Sequence, residues 1–232
     1  MTPALPRLFA LLLLAAAALA QARAPAPAPQ VPAQVSNAAW EADIARFEQR
    51  DAQQPPPRGA VLFVGSSSIR MWDSLATDFP GQQVINRGFG GSEIRDSTWY
   101  ADRIVVPYAP RLVVFYAGDN DLNAGRTPQQ VRDDFLAFVS RVRRDLPQTR
   151  IAYISIKPSP SRAQLLPQIA EANTLIRQAG QRLDKVDFLD VYTPMLGRDG
   201  QPRRELFRED MLHMTPAGYA IWREVVGPEL SR

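Results

Sequence analysis

The chain has 232 residues, of which 45% are hydrophobic and 22% are charged. This composition is typical of a folded globular protein and excludes both a largely disordered chain and a polytopic membrane protein. The length suits one well-buried α/β domain and is too short for two ordinary domains. The formal charge is +3, but the basic residues are scattered among 24 acidic ones, without the aromatic-interleaved basic stripe of nucleic-acid-binding proteins. We therefore expect no nucleic-acid partner.

The N-terminal segment predicts export to the periplasm or the medium. An apolar run at 8–20 follows Arg7 and leads into Ala20-Gln21-Ala22, a small-x-small sequence typical of a signal peptidase site. The run is shorter than the roughly 20 residues that a membrane-spanning helix needs. We expect no transmembrane segment in the mature chain. The predicted organisation is a signal peptide at 1–22, an Ala- and Pro-rich linker at 23–35 and one folded domain at 36–232.

The remaining chain alternates between helical and β-type patterns. Ser36 and Asn37 can cap a first helix, which the three prolines at 55–57 end. Five apolar segments then predict strands, at 60–64, 83–85, 112–116, 151–156 and 186–189. Most of them are too apolar for a half-exposed antiparallel sheet. They indicate a parallel sheet that is covered on both faces.

The longest predicted helix, at 127–146, begins with a capping box. Thr127 is the N-cap, Pro128 the first helical residue and Gln130 the third. Strands that alternate with helices of this length need crossover connections, which give a three-layer α/β/α sandwich around a parallel sheet. Ligands of such sheets bind at the carboxyl ends of the strands. The loops that follow the strands are therefore the place to search for chemistry.

The loop after the first strand combines one glycine with three serines, Gly65-Ser66-Ser67-Ser68. A serine at a strand-to-helix turn can supply both a nucleophilic oxygen and a backbone N–H for the oxyanion that it creates. The alternative is that these serines only cap a helix, which is a common use of serine. The loop alone leaves both readings open.

The loops after the second and third strands offer hydrogen-bond donors. The second, 86–93, is glycine-rich, but Glu93 occupies the position of the last glycine in GxGxxG, so a dinucleotide site is not expected. The third presents the Asn120 amide between Asp119 and Asp121. Two carboxylates could bind a divalent metal, but no imidazole or further acidic cluster is nearby. We expect no metal, and Asn120 is the candidate hydrogen-bond donor.

His213 is the only histidine of the chain, and Asp210 precedes it by three residues. A carboxylate that accepts the Nδ1 proton fixes the imidazole so that Nε2 can take a proton from a serine. Thr215 as an N-cap and Pro216 behind it predict a last helix that begins just after this pair. The alternative is a buried structural histidine.

Taken in order, GSSS, NRGFGG, GDND and DMLH resemble the four sequence blocks of the SGNH hydrolases, also called GDSL-like lipases or acylhydrolases, over about 60–230. The long GSSS and GDND blocks are most similar to the platelet-activating-factor acetylhydrolase-like branch. The resemblance implies a flavodoxin-like sheet, with Ser67 as nucleophile and Asp210 orienting His213. It also implies that the N–H groups of Ser67 and Gly91 and the Asn120 amide form the oxyanion hole.

The sequence departs from the family at Ser66, where an aspartate is usual. Alignment on Gly65 favours Ser67 as the nucleophile, with Ser68 next. The expected function is an exported, cofactor-free carboxylic ester hydrolase for short acyl groups, acetyl above all, on small-molecule or saccharide esters. The alternatives are a lipase or thioesterase for longer chains and a glycan-binding module without turnover.

Five further side chains lie near these blocks. The aromatic residues Trp72, Phe89 and Tyr116 are expected in the core rather than in a pocket. No role is assigned to Arg70 and Arg87.

Overall fold

The structure, a computed structural model, describes residues 38–232. The predicted signal peptide, the linker and the caps Ser36 and Asn37 lie outside these residues. The five strands are β1 (Val61–Gly65), β2 (Val84–Gly88), β3 (Leu112–Tyr116), β4 (Arg150–Ile154) and β5 (Val186–Leu189). They form one sheet in the order β2-β1-β3-β4-β5, and every neighbouring pair is parallel. This confirms the predicted five-stranded parallel sheet.

The helices cover both faces of this sheet. They are α1 (Glu41–Gln53), α2 (Ser67–Arg70), α3 (Leu75–Asp78), α4 (Ile94–Trp99), α5 (Ala101–Ile104), α6 (Asp119–Asn123), α7 (Pro128–Asp145), α8 (Leu166–Gly180) and α9 (Pro216–Leu230). Helices α1, α4, α5, α7 and α8 contribute to one buried cluster, and α2, α3 and α9 to another. The fold is therefore the predicted three-layer sandwich. Among the helices at 38–232, none is long and apolar enough to cross a membrane.

Strand β1 shows why the sheet has two cores. Its side chains alternate between the clusters, with Val61 and Phe63 in one and Leu62 and Val64 in the other. Successive side chains of a strand point to opposite faces, so an apolar run without alternation is buried on both sides. All five residues of β1 are buried. This interior strand thus fixes the position of the loop that follows it.

The predicted capping box of α7 is present. The Gln130 N–H donates to Thr127 Oγ1 at 3.2 Å, and Gln130 Oε1 accepts from the Thr127 N–H at 2.9 Å. The predicted cap of α9 is wrong in its side chain, although that helix does begin at Pro216. Thr215 Oγ1 donates instead to the carbonyl of Glu205 at 3.2 Å. The hydroxyl thus faces this loop and accepts no N–H of the first helical turn.

Two strands, β2 and β4, end at other residues than predicted, each for an identifiable reason. Strand β2 continues three residues beyond the predicted end, to Gly88, because Gly88 still pairs with Gly65 of β1. Strand β4 ends at Ile154, earlier than predicted. At Ile156 the backbone N–H already donates to Asn173 Oδ1 of α8 at 2.8 Å. Side chains distant in sequence thus decide where β4 stops.

Three strands end level with one another at the carboxyl edge. Gly65 of β1 pairs with Gly88 of β2 on one side and with Tyr116 of β3 on the other. Gly65 has φ +136°, and a Cβ there would lie 1.8 Å from the Tyr116 carbonyl oxygen. That oxygen accepts the Ser66 N–H at 3.0 Å. Only glycine lets the chain turn this close to β3, so residue 65 fixes where Ser67 begins its helix.

We predict that Gly65→Ala lowers the free energy of unfolding by more than about 3 kcal/mol, because the unfavourable φ and the contact with the Tyr116 carbonyl must both be relieved. The matched control is Gly59→Ala, since Gly59 also has positive φ, at +74°, but has open space around it. The control should cost about 1–2 kcal/mol. Equilibrium unfolding in urea measures both, and equal losses would contradict the role of the close approach.

Candidate active site

Only one of the three consecutive serines faces the histidine. Ser66 and Ser68 are buried, at 0% and 1% exposure, and their hydroxyls have no hydrogen-bond partner in the described chain. Ser67 is half-buried at the first position of α2, and its Oγ lies 2.9 Å from His213 Nε2. The geometry therefore singles out Ser67, the serine that the sequence favoured.

Asp210 holds His213 in place through both of its carboxylate oxygens. Oδ1 accepts the backbone N–H groups of Leu212 and His213, both at 2.9 Å. Oδ2 lies 2.6 Å from His213 Nδ1. Met211 lies between them with φ +55°, a conformation that few residues other than glycine adopt. This tight turn brings an acid and an imidazole that are three residues apart into direct contact.

Hydrogen bonding keeps Asp210 ionised. Burial alone raises the pKa of Asp210, but hydrogen bonds from the backbone and side chain of His213 outweigh it and lower the pKa to about 2. A carboxylate that is charged at neutral pH accepts the Nδ1 proton of a neutral imidazole. His213 Nε2 is then left to accept the proton of the Ser67 hydroxyl. The row Asp210–His213–Ser67 can thus move a proton away from the serine.

The segment that carries His213 is fastened to the helix that carries Ser67. Tyr219 of α9 donates its hydroxyl to the carbonyl of Ser68 at 2.9 Å. Its ring stacks on Trp72, with centroids 5.3 Å apart. Ser67 and His213 lie far apart in the sequence, and this packing keeps their side chains within hydrogen-bonding distance.

Three N–H groups in the loops after the first three strands are available to a ligand. Within 38–232, neither the Ser67 N–H nor the Gly91 N–H has an acceptor. Asn120 Nδ2 donates one hydrogen to the Ser92 carbonyl at 3.0 Å, which keeps the amide beside the Gly91 loop. The second Nδ2 hydrogen is available to a ligand. These residues follow β1, β2 and β3, whose ends are level.

The carboxylates beside Asn120 have separate structural partners. Asp121 is fully buried and accepts the Ile94 N–H at 3.1 Å. Burial raises the pKa of Asp121 well above its usual value. Asp119 contacts Lys157 Nζ at 2.9 Å. Each of the two acids therefore has a protein partner of its own.

Sequence reasoning missed two cations in the loop after β4. Arg162 Nη2 donates to Asn120 Oδ1 at 2.9 Å. Lys157 donates to Tyr116 Oη at 3.1 Å and pairs with Asp119. Both residues are buried, with exposures of 1% for Lys157 and 8% for Arg162. The available signal was a lysine and an arginine among prolines directly after a buried strand.

The unassigned side chains now have places. The three aromatic residues are buried as predicted, with exposures between 0% and 1%; they are Trp72, Phe89 and Tyr116. Arg87 is structural, since it forms an ion pair with Asp51 and donates to Tyr108 Oη at 2.7 Å. Arg70 is exposed beside the backbone of Gly90.

We predict that a serine-reactive phosphonate labels Ser67 and that peptide mapping finds no adduct on its neighbours. The reason is that only Ser67 has a base within hydrogen-bonding distance, so only its oxygen is activated. Ser68→Ala is the matched control and should label at the wild-type rate. An adduct on Ser66 or Ser68 would show that the geometry has been misassigned.

Comparison with known proteins agrees with this arrangement. The family model described as GDSL-like lipase/acylhydrolase matches residues 58–221. No match was found among curated proteins.

Solved structures share the fold at low sequence identity. A Streptococcus pneumonia protein named after platelet activating factor is 20% identical, with TM-score 0.73 over 82% of this chain and 92% of its own. A GDSL-like lipase from Bacteroides thetaiotaomicron is 20% identical, with TM-score 0.70 over 82% and 98%. An acetyl-xylooligosaccharide esterase from Geobacillus Stearmophilus is 14% identical, with TM-score 0.61 over 76% and 96%. The family match covers most of the chain, so the chain belongs to the GDSL-like lipase/acylhydrolase family and is an ester-bond hydrolase.

Proposed function

We propose that this hydrolase is an exported serine esterase that removes short acyl groups, acetyl above all, from small-molecule or saccharide esters through an acyl-enzyme on Ser67. One observation carries the proposal. His213 lies between a carboxylate at 2.6 Å and a serine oxygen at 2.9 Å. This is the arrangement that serine-based acyl transfer needs.

In the proposed acylation step, Ser67 Oγ forms a bond to the ester carbonyl carbon while its proton passes to His213 Nε2. The carbonyl π electrons move onto the carbonyl oxygen, which accepts hydrogen bonds from the Ser67 and Gly91 N–H groups and from Asn120 Nδ2. When this intermediate collapses, the bond to the leaving oxygen breaks. That oxygen takes the proton from His213 and departs as an alcohol, with the acyl group left on Ser67.

Deacylation repeats the step with water as the nucleophile. His213 Nε2 takes a proton from water as its oxygen bonds to the acyl carbon, and returns it to Ser67 Oγ when the acyl bond breaks. In both steps the charge that develops on the imidazole lies against the Asp210 carboxylate. Hydrogen bonds from His213 outweigh the burial of Asp210 and lower its pKa to about 2. The carboxylate is therefore negatively charged when the imidazole becomes positive.

The surroundings of Ser67 favour a small acyl group and a large leaving group. The interior under the strand ends is filled by fully buried aromatic rings; they are Trp72, Phe89 and Tyr116. A long acyl chain would have to displace such packing, which costs stability. The outer side is open, because the Asp210 side chain is 47% exposed and that of His213 21%. A bulky alcohol can therefore extend into solvent.

The saccharide and export parts of the proposal have support of their own. One structure with this fold is an acetyl-xylooligosaccharide esterase. The sequence at 1–22 has the pattern of a signal peptide, which would bring the enzyme to acetylated envelope polymers. Acetylated saccharides combine a small acyl group with a large, polar alcohol.

We predict that kcat/KM for p-nitrophenyl esters falls by at least about tenfold from acetate to octanoate, because the filled interior leaves no space for the longer chain. Ser67→Ala, assayed beside the wild type, measures the background hydrolysis. A rise toward octanoate would instead favour a lipase or thioesterase. Saccharide binding without hydrolysis of any ester would favour a binding module.

We predict that the acid limb of the kcat/KM profile follows the uptake of a single proton. The lowered pKa of Asp210 keeps the carboxylate ionised until the pH falls through about 2, so its support of His213 is present above that value and lost below it. A limb of slope two above about pH 4 would contradict this.

Substitution of the same carboxylate gives an independent measurement. Asp210→Asn should lower kcat by at least about a hundredfold. The neutral amide neither fixes the proton on His213 Nδ1 nor stabilises the positive charge that develops on the imidazole. Glu209→Gln removes a neighbouring exposed carboxylate and should leave kcat unchanged. Equal rates for Asp210→Asn and the wild type would show that Asp210 only shapes the loop.

A further inference from the structure

The Asn120 amide is held at both ends. Its Nδ2 donates to the Ser92 carbonyl at 3.0 Å, and its Oδ1 accepts from Arg162 Nη2 at 2.9 Å. A guanidinium group has donors but no acceptor, so it can face only the oxygen end of an amide. Arg162 therefore prevents the amide from rotating by half a turn. The nitrogen end stays directed toward the Gly91–Ser92 loop.

Arg162 also forms an ion pair with a buried carboxylate. Its Nη1 lies 3.3 Å from Asp119 Oδ2, the same oxygen that pairs with Lys157 at 2.9 Å. Burial alone raises the pKa of Asp119, but the charges of Lys157 and Arg162 outweigh it and hold the pKa below its usual value. Arginine stays protonated in proteins. A permanent positive charge is thus held directly behind the Asn120 carbonyl.

The segment of Arg162 also contacts the loop of the base. Arg162 lies at a kink within the short 3₁₀ segment Pro160–Leu165, which follows β4. Its neighbour Ser161 donates its N–H to the Met211 carbonyl at 3.0 Å. Met211 is the residue with positive φ between Asp210 and His213. One short segment therefore supports both the Asn120 amide and the turn that presents His213.

We propose that Arg162 is a positioning residue for ester hydrolysis, acting through Asn120 rather than on the substrate. Its hydrogen bond fixes the direction of Nδ2, and its charge draws electron density toward Oδ1, which makes the Nδ2 hydrogens stronger donors to the oxyanion. Arg162 as a residue is only 8% exposed, which agrees with a role behind the site. This inference rests on the proposed role of Asn120 as an oxyanion donor.

A double-mutant cycle tests the proposal on p-nitrophenyl acetate, with Arg162→Ala, Asn120→Ala and both together. Arg162→Ala should lower kcat by roughly 10- to 100-fold with KM within about threefold, because only the transition state carries the oxyanion. Asn120→Ala should cost roughly 100- to 1,000-fold. The double variant should be within about twofold of Asn120→Ala, since a residue that acts only through Asn120 has nothing left to act on.

Three comparisons separate positioning from general destabilisation. Arg144→Ala removes an arginine whose side chain is 64% exposed on α7 and should leave kcat unchanged. Asn123→Ala removes an exposed amide from the helix of Asn120 and should also be silent. Added guanidinium ion should partly restore kcat in Arg162→Ala and not in Asn120→Ala. Thermal unfolding of each variant reports whether it folds, and Arg162→Gln replaces Arg162→Ala if the alanine variant does not.

Wild-type kcat in Arg162→Ala, or losses that multiply in the double variant, would overturn the proposal. If the wild type does not cleave the acetate ester, the proposed substrate class fails and the cycle is repeated with the rate of phosphonate labelling at Ser67. The phosphonyl oxygen of that adduct needs the same donors. Equal labelling of wild type and Arg162→Ala would then overturn the role of Arg162 by itself.

Discussion

The close approach of β1 to β3 at Gly65 is the constraint on which the site depends. A side chain at this position would meet the Tyr116 carbonyl at 1.8 Å, and the same carbonyl accepts the Ser66 N–H. The chain must therefore leave the sheet here and start a helix at Ser67. Because β1 lies between β2 and β3 and ends level with both, Gly91 and Asn120 arrive at the same edge. The placement of the proposed oxyanion donors follows from strand register.

Exposure divides the site into two parts. The Asp210–His213–Ser67 group is open to solvent, since Asp210 is half-exposed. Hydrogen bonds from His213 lower the pKa of Asp210. The support of Asn120 is buried, with Asp119 between Lys157 and Arg162. Charges inside a protein interact more strongly than charges in water. In the proposed mechanism, the buried part acts on the oxyanion, while the open part admits water for deacylation and a bulky alcohol.

The sequence was sufficient to predict the sheet and α7, but not the side-chain contacts between loops. The apolar runs and the Thr127–Gln130 capping box predicted the sheet and α7, because burial and capping depend on neighbouring residues. The Asn120–Arg162 contact was missed, since it joins residues 42 positions apart and depends on how β3 and β4 place their loops. Thr215 precedes α9 as predicted, but its hydroxyl is directed to the Glu205 carbonyl and caps no N–H of the helix. Side-chain partners across loops are set by packing, which no local pattern records.

The central claim is that an ester transfers its acyl group to Ser67. Rapid quenching of the enzyme with p-nitrophenyl acetate, followed by mass spectrometry of its peptides, tests it most directly. The account predicts one acetyl group per chain on the peptide that contains Ser67, formed in a burst with p-nitrophenol and lost as turnover proceeds. Steady hydrolysis with no acetylated peptide, or acetylation confined to another residue, would contradict it.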